Sequence, residues 1–335
     1  MSTGHDLPQP TEIRVSVIMP AYNAEQTVAR AIESALAQTE PRCEVLVIDD
    51  ASSDATADIV ARIAEQDRRV HLLRNTTNRG PAGARNDGLA VARGDWIALL
   101  DADDTFAPHR VATLKALGEL HNADIVADNL LLCPEDNPTQ CRPMLPAHEL
   151  PAGRWLTAAT FIAGNVGSRR SPRVSYGFLQ PIIRRGFLQS RGLCYDERNR
   201  FGEDFLLYVA CLLRGARWWL APEAMYHYSV RLGSSTDVQS AADLLRIRSV
   251  EEQLLREEPL VASDPSLVRA LRSHKAVIDR FYYYRAFTDA VKARAGSRAL
   301  QLLFESATGF RHIVLESVLR APTITMKALR GGYRG

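Results

Sequence analysis

The strongest constraint on this chain is a repeated change of hydrophobic period between residues 14 and 120. Short β-branched runs, RVSVIM (14–19), EVLVID (44–49), RVHLL (69–73) and DWIALL (95–100), leave no room for a helix and read as strands. Between and after them lie segments with helical apolar spacing. The first is AEQTVARAIESALAQ (24–38), with Val28, Ile32, Ala35 and Leu36 on one face. SSDATADIVARIAEQ, AGARNDGLAVAR and HRVATLKALGEL follow. Asn23 stands where it can cap the first helix, with Gln26 at the capping-box position, and Pro108 suits the first turn of the fourth. Alternation of this kind predicts an α/β fold with a mostly parallel sheet covered on both faces. Such sheets bind ligands at the carboxyl ends of their strands, where the strand order reverses. Those ends carry Pro20-Ala21-Tyr22-Asn23, Asp49-Asp50 and Asp101-Ala102-Asp103-Asp104.

Beyond about residue 125 the periodicity breaks into loops rich in Pro and Gly. From residue 241 it returns as helix, clearest in LLRIRSVEEQLL and ALQLLFESATGFRHIVLESVL. No internal repeat is present. The formal net charge of +2 gives no global bias toward nucleic acid. The five cysteines are scattered, with no C-x-x-C pair, which argues against a zinc site or disulfide framework and for a reducing compartment. The polar, Pro-containing start has no signal-peptide pattern, and no apolar run is long enough to span a bilayer. These features predict a cytoplasmic protein that meets a membrane only from its surface.

Three aspartates at the end of an apolar strand repel one another unless a cation joins them. Mg²⁺ or Mn²⁺ takes hard oxygen ligands and keeps phosphate oxygens as partners, so D-x-D at a switch point suggests a metal gripping a nucleotide diphosphate. The bland alternative is a solvated turn before the next helix. Asp49-Asp50 can accept hydrogen bonds from a base or ribose, or serve as turn and cap residues. Tyr22 offers a ring for stacking, or a partly buried core aromatic. Arg85 opens a helix near the same rim and can meet a phosphate, or lie on a solvated face.

Taken in order, VSVIMPAYNAEQTVARAIESALAQT, VLVIDDASSDAT, NRGPAGARNDGLAVARGDWIALLDADD and GEDFLLYVACLLRG closely resemble the family 2 glycosyltransferases. These are inverting nucleotide-sugar enzymes with the GT-A fold, and the likeness is greatest to bacterial enzymes of exopolysaccharide and surface-glycan synthesis. It is strong over about residues 14–110, moderate to 236 and absent beyond. The resemblance implies that Pro20, Tyr22, Asn23 and Asp50 hold the uracil end of a UDP-sugar. It places Asp101 near the ribose and metal, Asp103 on a Mn²⁺ or Mg²⁺ ion, and Arg85 near the donor. Asp104 is often acidic there without a settled role. Glu203-Asp204 match a pair in which the aspartate acts as base. Such a group is worth about 10²–10⁴ in rate. Without the resemblance, the pair reads as helix-start charge favoured by the dipole. His227 lies where some relatives place a metal- or phosphate-contacting histidine, and the resemblance implies that Arg231 and Ser234 touch the diphosphate. Trp155 and Trp218-Trp219 are candidates for sugar stacking, the latter pair more a core feature.

The predicted organisation is a disordered N-terminus (1–13), a catalytic domain (14–236) and a helical extension (237–335). The catalytic domain has a nucleotide-binding half (14–125) and an acceptor-binding half (126–236). The expected acceptor is a glycan, free or carried on a polyprenyl diphosphate. Two rivals stand against this reading. A nucleotidyltransferase would need a Gly-rich, basic phosphate loop after the first strand, and PAYNAEQT is not one. A non-catalytic sugar-nucleotide binding module would not need Asp103 and Asp204 intact. In residues 291–335 basic residues from Lys292 to Arg334 face only Glu305 and Glu316, interleaved with apolar residues. That pattern predicts either docking on an anionic membrane or packing, on this chain or in a homo-oligomer.

Overall fold

The structure is a computed structural model that describes residues 13–135, 140–166, 175–230, 239–305 and 309–315. The predicted N-terminal segment lies almost wholly outside the described residues. The chain divides into two compact units, Met1–Ser234 and Ser235–Gly335.

The first unit begins with β1 (Val15–Ala21), α1 (Val28–Leu36), β2 (Cys43–Asp49), α2 (Thr56–Gln66), β3 (Val70–Arg74), α3 (Gly80–Val91) and β4 (Trp96–Leu99). It continues through β5 (Thr105–Phe106), α4 (Arg110–Leu120), β6 (Ile125–Pro134), β7 (Arg142–Pro143), β8 (Arg154–Leu156) and α5 (Ala158–Ala163). It closes with β9 (Ile182–Arg184), α6 (Arg185–Arg191), α7 (Glu203–Leu213) and β10 (Trp218–Val230). One sheet joins the strands in the order β3-β2-β1-β4-β9-β6-β10-β5, with β7 on β6 and β8 on β10. β1 pairs in parallel with both β2 and β4. The chain therefore leaves β1 toward one side and returns to β4 on the other, which makes their carboxyl ends the switch point. β9 runs antiparallel between β4 and β6. The predicted mostly parallel sheet flanked by helices is borne out.

β1, β2 and β4 are buried almost end to end because helices cover both faces, as their unbroken apolar runs require. α3 lies close on β1: a Cβ on Gly88 would sit 2.6 Å from Ile18 Cγ2. Under the second half of the sheet, Arg110 and Asp128 form a fully buried ion pair at 2.7 Å. Asp128 also accepts from the Met225 amide, and Arg110 donates to the Gln180 carbonyl and lies over the rings of Phe106 and Tyr226. One pair thus ties α4, β6, β10 and the approach to β9.

Three local expectations need correcting. Asn23 does not cap α1, which starts at Val28. It adopts φ +49° and accepts from the Ser53 amide at 2.9 Å, because the β2–α2 loop offers it donors. Pro108 falls before α4, outside its first turn, and its carbonyl accepts from the Thr39 amide. Cys133 and Cys141 are disulfide-bonded, since the antiparallel β6–β7 pairing brings their Cα atoms to 4.2 Å. The cysteine pattern therefore no longer argues for a reducing compartment.

The second unit comprises α8 (Ala241–Glu257), α9 (Pro259–Ser263), α10 (Pro265–Lys292) and α11 (Gly296–Phe304), with residues 309–315 also helical. Asp264 caps α10 by accepting from the Ser266 and Leu267 amides. α8 and α10 meet through a buried His274–Glu251 contact at 2.5 Å. No helix among the described residues is long and apolar enough to cross a membrane.

Removing one half of the Arg110–Asp128 pair strands a buried charge. Asp128→Ala is expected to cost about 3–5 kcal/mol in urea unfolding. The double variant Arg110→Met/Asp128→Leu should recover most of that loss.

Candidate active site

The carboxyl ends of β1, β2 and β4 gather one polar rim, and each of its acids has a different local task. Asp50, at the end of β2, is buried. It accepts from Asn75 Nδ2 at 3.0 Å and from the Arg79 and Gly80 amides at 2.9 and 2.7 Å. It therefore holds the amino end of α3, whose unpaired amides need an acceptor. Gly80 sits there at φ +75°, a conformation that favours glycine. Pro20 is half-buried near the end of β1, Ala21 after it is buried, and Tyr22 just beyond the strand is 54% exposed.

α3 brings Arg85 beneath the rim. Its guanidinium donates to Asp101 Oδ1 at 2.8 Å and to Glu203 Oε1 at 2.7 Å. It lies 3.6 Å from Asp204 Oδ1 and 5.5 Å from the centre of the Tyr195 ring. Arg85 is buried, so neither the solvated-face reading nor simple phosphate contact describes it. Its cationic form is favoured well above the usual range: burial opposes the charge, but Asp204, Asp101 and Glu203 more than offset that. Asn86, the next residue of α3, exchanges hydrogen bonds with the Tyr195 backbone. Arg79 binds Glu197 through both carboxylate oxygens at 2.8 Å. These contacts fix the segment that leads into α7.

Glu203 and Asp204 open α7 after Gly202, which caps it at φ +74°. Asp204 Oδ1 is buried with no hydrogen-bond partner. Burial first, then the charges of Glu203 and Asp101, raise its pKa to about 7, against the opposing pull of Arg85. A carboxylate with that pKa has both the basicity and an unused acceptor for taking a proton near neutral pH. An orphaned buried acceptor is costly in a protein core and is a mark of a functional site.

The D-x-D loop divides its three acids. Asp101 takes Arg85 on one oxygen and Gln180 Nε2 at 3.3 Å on the other. Asp104 is buried and accepts from Tyr226 Oη at 2.8 Å and from the Ser229 amide at 2.7 Å, tying the loop to β10. Tyr226 Oη in turn receives the Asp101 amide at 3.2 Å. Burial, then the charges of Asp103 and Asp101, push the Asp104 carboxyl well above the usual range. The Asp103 carbonyl accepts from Arg30 at 2.9 Å and Ser229 Oγ at 2.7 Å, and Asp103 itself is half-buried. Among the described residues no group of three His, Cys, Asp or Glu is arranged to hold a metal ion. The donors suit a hard cation held by one or two carboxylates, with the substrate's phosphates completing its shell. The mutual repulsion that weighs on Asp104 is what such a cation relieves.

His227 pairs in register with Thr105. Burial lowers its pKa, while the other charges bearing on it are Asp128 and Arg110. Arg231 and Ser234 lie outside the described residues. Trp218 is core, packed on Phe161 and Tyr208. Trp219 stacks on His121 at 3.9 Å, with Trp155 edge-on at 5.1 Å. Trp218 and Trp219 sit at the start of β10, with Trp155 paired to Trp219 on β8, and Trp219 is eight residues from His227 on the same strand, roughly 25 Å at an extended rise. They cannot stack on a sugar at the carboxylate rim. Sequence reasoning missed Gln180, Tyr195, Tyr226 and Arg30, whose partners are all remote in the chain.

Against this geometry the family model described as glycosyl transferase family 2 matches residues 16–173. The succinoglycan biosynthesis protein ExoO of Rhizobium meliloti is 39% identical over 246 residues, 73% of this chain and 69% of that protein. The chain is a family 2 glycosyltransferase. ExoU of the same organism, also a succinoglycan biosynthesis protein, is 34% identical over 285 residues, 85% of this chain and 81% of its own. Residues 1–349 of S. aureus TarS, in complex with UDP-GlcNAc, match with a TM-score of 0.66 at 20% identity, covering 92% of each chain. That likeness bears on the fold, and the GT-A architecture expected for this glycosyltransferase is borne out.

The raised pKa of Asp204 gives two pH signatures. Turnover should rise with pH through about 7, as the carboxyl loses its proton, and Asp204→Asn should flatten that profile and lower kcat by about 10² or more. Stability should move the other way. Between the unfolded value of 3.8 and about 7 the folded state holds the extra proton, so stability falls as pH rises across that window. Urea titrations at pH 4.5 and 8 should find that pH-dependent loss diminished in Asp204→Asn.

Proposed function

We propose that this glycosyltransferase is a metal-dependent, inverting enzyme. It moves a sugar from a UDP-sugar to a glycan acceptor, free or carried on a polyprenyl diphosphate, in surface-polysaccharide synthesis. The observation that carries the reading is the Asp204 carboxylate, whose buried Oδ1 makes no hydrogen bond, held beside Arg85 and Asp101 at the switch point. The names of the curated relatives support the polysaccharide setting.

In this reading Tyr22, with Pro20 and Asn23, lines the nucleoside end of the donor, and Asp50 sets that wall by fixing the start of α3. Asp101 faces the ribose side. The acceptor hydroxyl attacks the anomeric carbon in line with the departing diphosphate. One C–O bond forms as the bond from the anomeric carbon to the phosphate oxygen breaks. Asp204 takes the hydroxyl proton as its nucleophilicity is needed, and one displacement inverts the anomeric centre. We assign Asp103 as the protein ligand of a Mn²⁺ or Mg²⁺ ion, which when bound offsets charge on the leaving diphosphate. His227, paired with Thr105 just after the D-x-D loop, is the second candidate ligand of that ion. Arg85 is a positioning residue here: it holds Asp101 and α7 in one frame and keeps Asp204 ionisable near neutral pH. A lipid-carried acceptor places the work at a membrane surface on the cytoplasmic side.

UDP release from a panel of UDP-sugars with Mn²⁺, with and without acceptor, tests the reading. Asp103→Ala is expected to lose metal-dependent turnover while keeping its melting temperature. Wild-type activity of that variant at saturating Mn²⁺ would remove Asp103 from the metal site. Proton NMR of the product should give a β-linkage from an α-linked UDP-sugar, and an α-linked product would overturn the single displacement.

A further inference from the structure

The second unit carries a surface that the transfer reaction does not explain. Six of the twelve large apolar side chains exposed among the described residues lie between 291 and 315: Val291, Leu300, Phe304, Phe310, Val314 and Leu315. Phe304 is 78% exposed and Leu300 57%, one helical turn apart on α11. The opposite side of α11 is satisfied, with Leu302 fully buried and Ala299 nearly so. Residues 309–315 repeat the arrangement, with Ile313 and His312 buried while Phe310, Val314 and Leu315 are exposed. These two helical stretches are therefore already packed on one side and still show apolar side chains on the other.

The charge on the same stretch is mostly positive. Lys292, Arg294, Arg298 and Arg311 are exposed, and Glu305 is the acid among them. The sequence after residue 315 adds Arg320, Lys327, Arg330 and Arg334 against Glu316, whereas the whole chain is only +2. Among the described residues of this stretch, four exposed basic side chains accompany the exposed apolar ones, against one acid. A second copy of the chain meeting this surface by the same patch would set these like charges against each other. An anionic bilayer surface accepts both features: the apolar side chains enter the acyl boundary and the Lys and Arg heads remain among anionic headgroups.

We propose that the surface formed by α11 and residues 309–315 docks the protein on an anionic membrane. Docking is peripheral, since no described helix can span a bilayer. The inference stands on the composition and exposure of this surface and holds whatever sugar or acceptor the active site takes.

Co-sedimentation of the full-length protein with vesicles of phosphatidylglycerol and phosphatidylcholine, against pure phosphatidylcholine, tests it. Binding is expected to the anionic vesicles at low salt and to fall steeply by 0.5 M NaCl. Each basic residue near such a surface strengthens partitioning about fivefold, so Arg298→Gln/Arg311→Gln should weaken it by about tenfold or more. Leu300→Ser/Phe304→Ser should weaken it at every salt concentration. Far-UV circular dichroism and UDP-sugar turnover on a soluble acceptor should be unchanged in both variants, which separates lost docking from lost folding or chemistry. If the wild-type protein ignores anionic vesicles at low salt, or binds them equally in both variants, the proposal fails. It also fails if sedimentation velocity finds a dimer that Leu300→Ser/Phe304→Ser dissociates while vesicle binding stays intact.

Discussion

Arg85 is buried among Asp101, Glu203 and Asp204, and its bond to Glu203 joins positions 118 residues apart in the sequence. A lone buried guanidinium would be very costly, and so would three carboxylates packed together without a cation. Each is tolerable only because of the other. The contact therefore does more than fasten α7 to α3. It brings the start of α7, a strand end and the α3 frame to one place, and the rim has no consistent electrostatics without it.

The same balance sets the character of Asp204. Burial alone would push its proton affinity far upward, and Glu203 and Asp101 push the same way. Arg85 pulls it back. The result, about 7, is a carboxyl poised between its two forms near neutral pH. Had Arg85 bonded Asp204 as directly as it bonds Glu203, at 2.7 Å, the carboxylate would be held ionised and weakly basic. The extra distance, 3.6 Å, leaves Asp204 Oδ1 without a hydrogen bond and its proton affinity higher than a direct bond would allow. Glu203 takes the direct bond, so two adjacent acids at one helix start come to differ in kind.

What the sequence made legible follows from the range of the forces involved. The four strands and helices of residues 14–120 were readable because period and β-branching are local properties. Their convergence on one rim followed from parallel topology. Asn23 misled because its capping power is local, whereas the donors of Ser52 and Ser53 that it meets lie on another loop. Asp50 illustrates the same gap. Its presence at a strand end was evident, but not that the Arg79 and Gly80 amides would claim it. Cys133–Cys141 needed the β6–β7 pairing before eight residues of separation meant a bond. Arg110 lies within the fourth helical segment, and only the folded sheet sets it against Asp128.

The three aspartates after β4 carry this reasoning to its end. A cluster of like charges at a strand terminus looks redundant in sequence, yet no two of these acids are held in the same way. Asp104 faces inward and is consumed by Tyr226 and Ser229, which lock β10 against the loop. Asp101 is held between Arg85 and Gln180, linking the loop to α3 and to the approach to β9. Asp103 has its backbone carbonyl pinned by Arg30 and Ser229 and its side chain only partly covered. The inward acid provides rigidity and the middle one provides registration with Arg85. The main chain of Asp103 is thereby fixed from two sides, by Arg30 and by Ser229. A divalent ion with a small coordination shell demands that kind of placement, and a flexible turn of three solvated aspartates would not supply it.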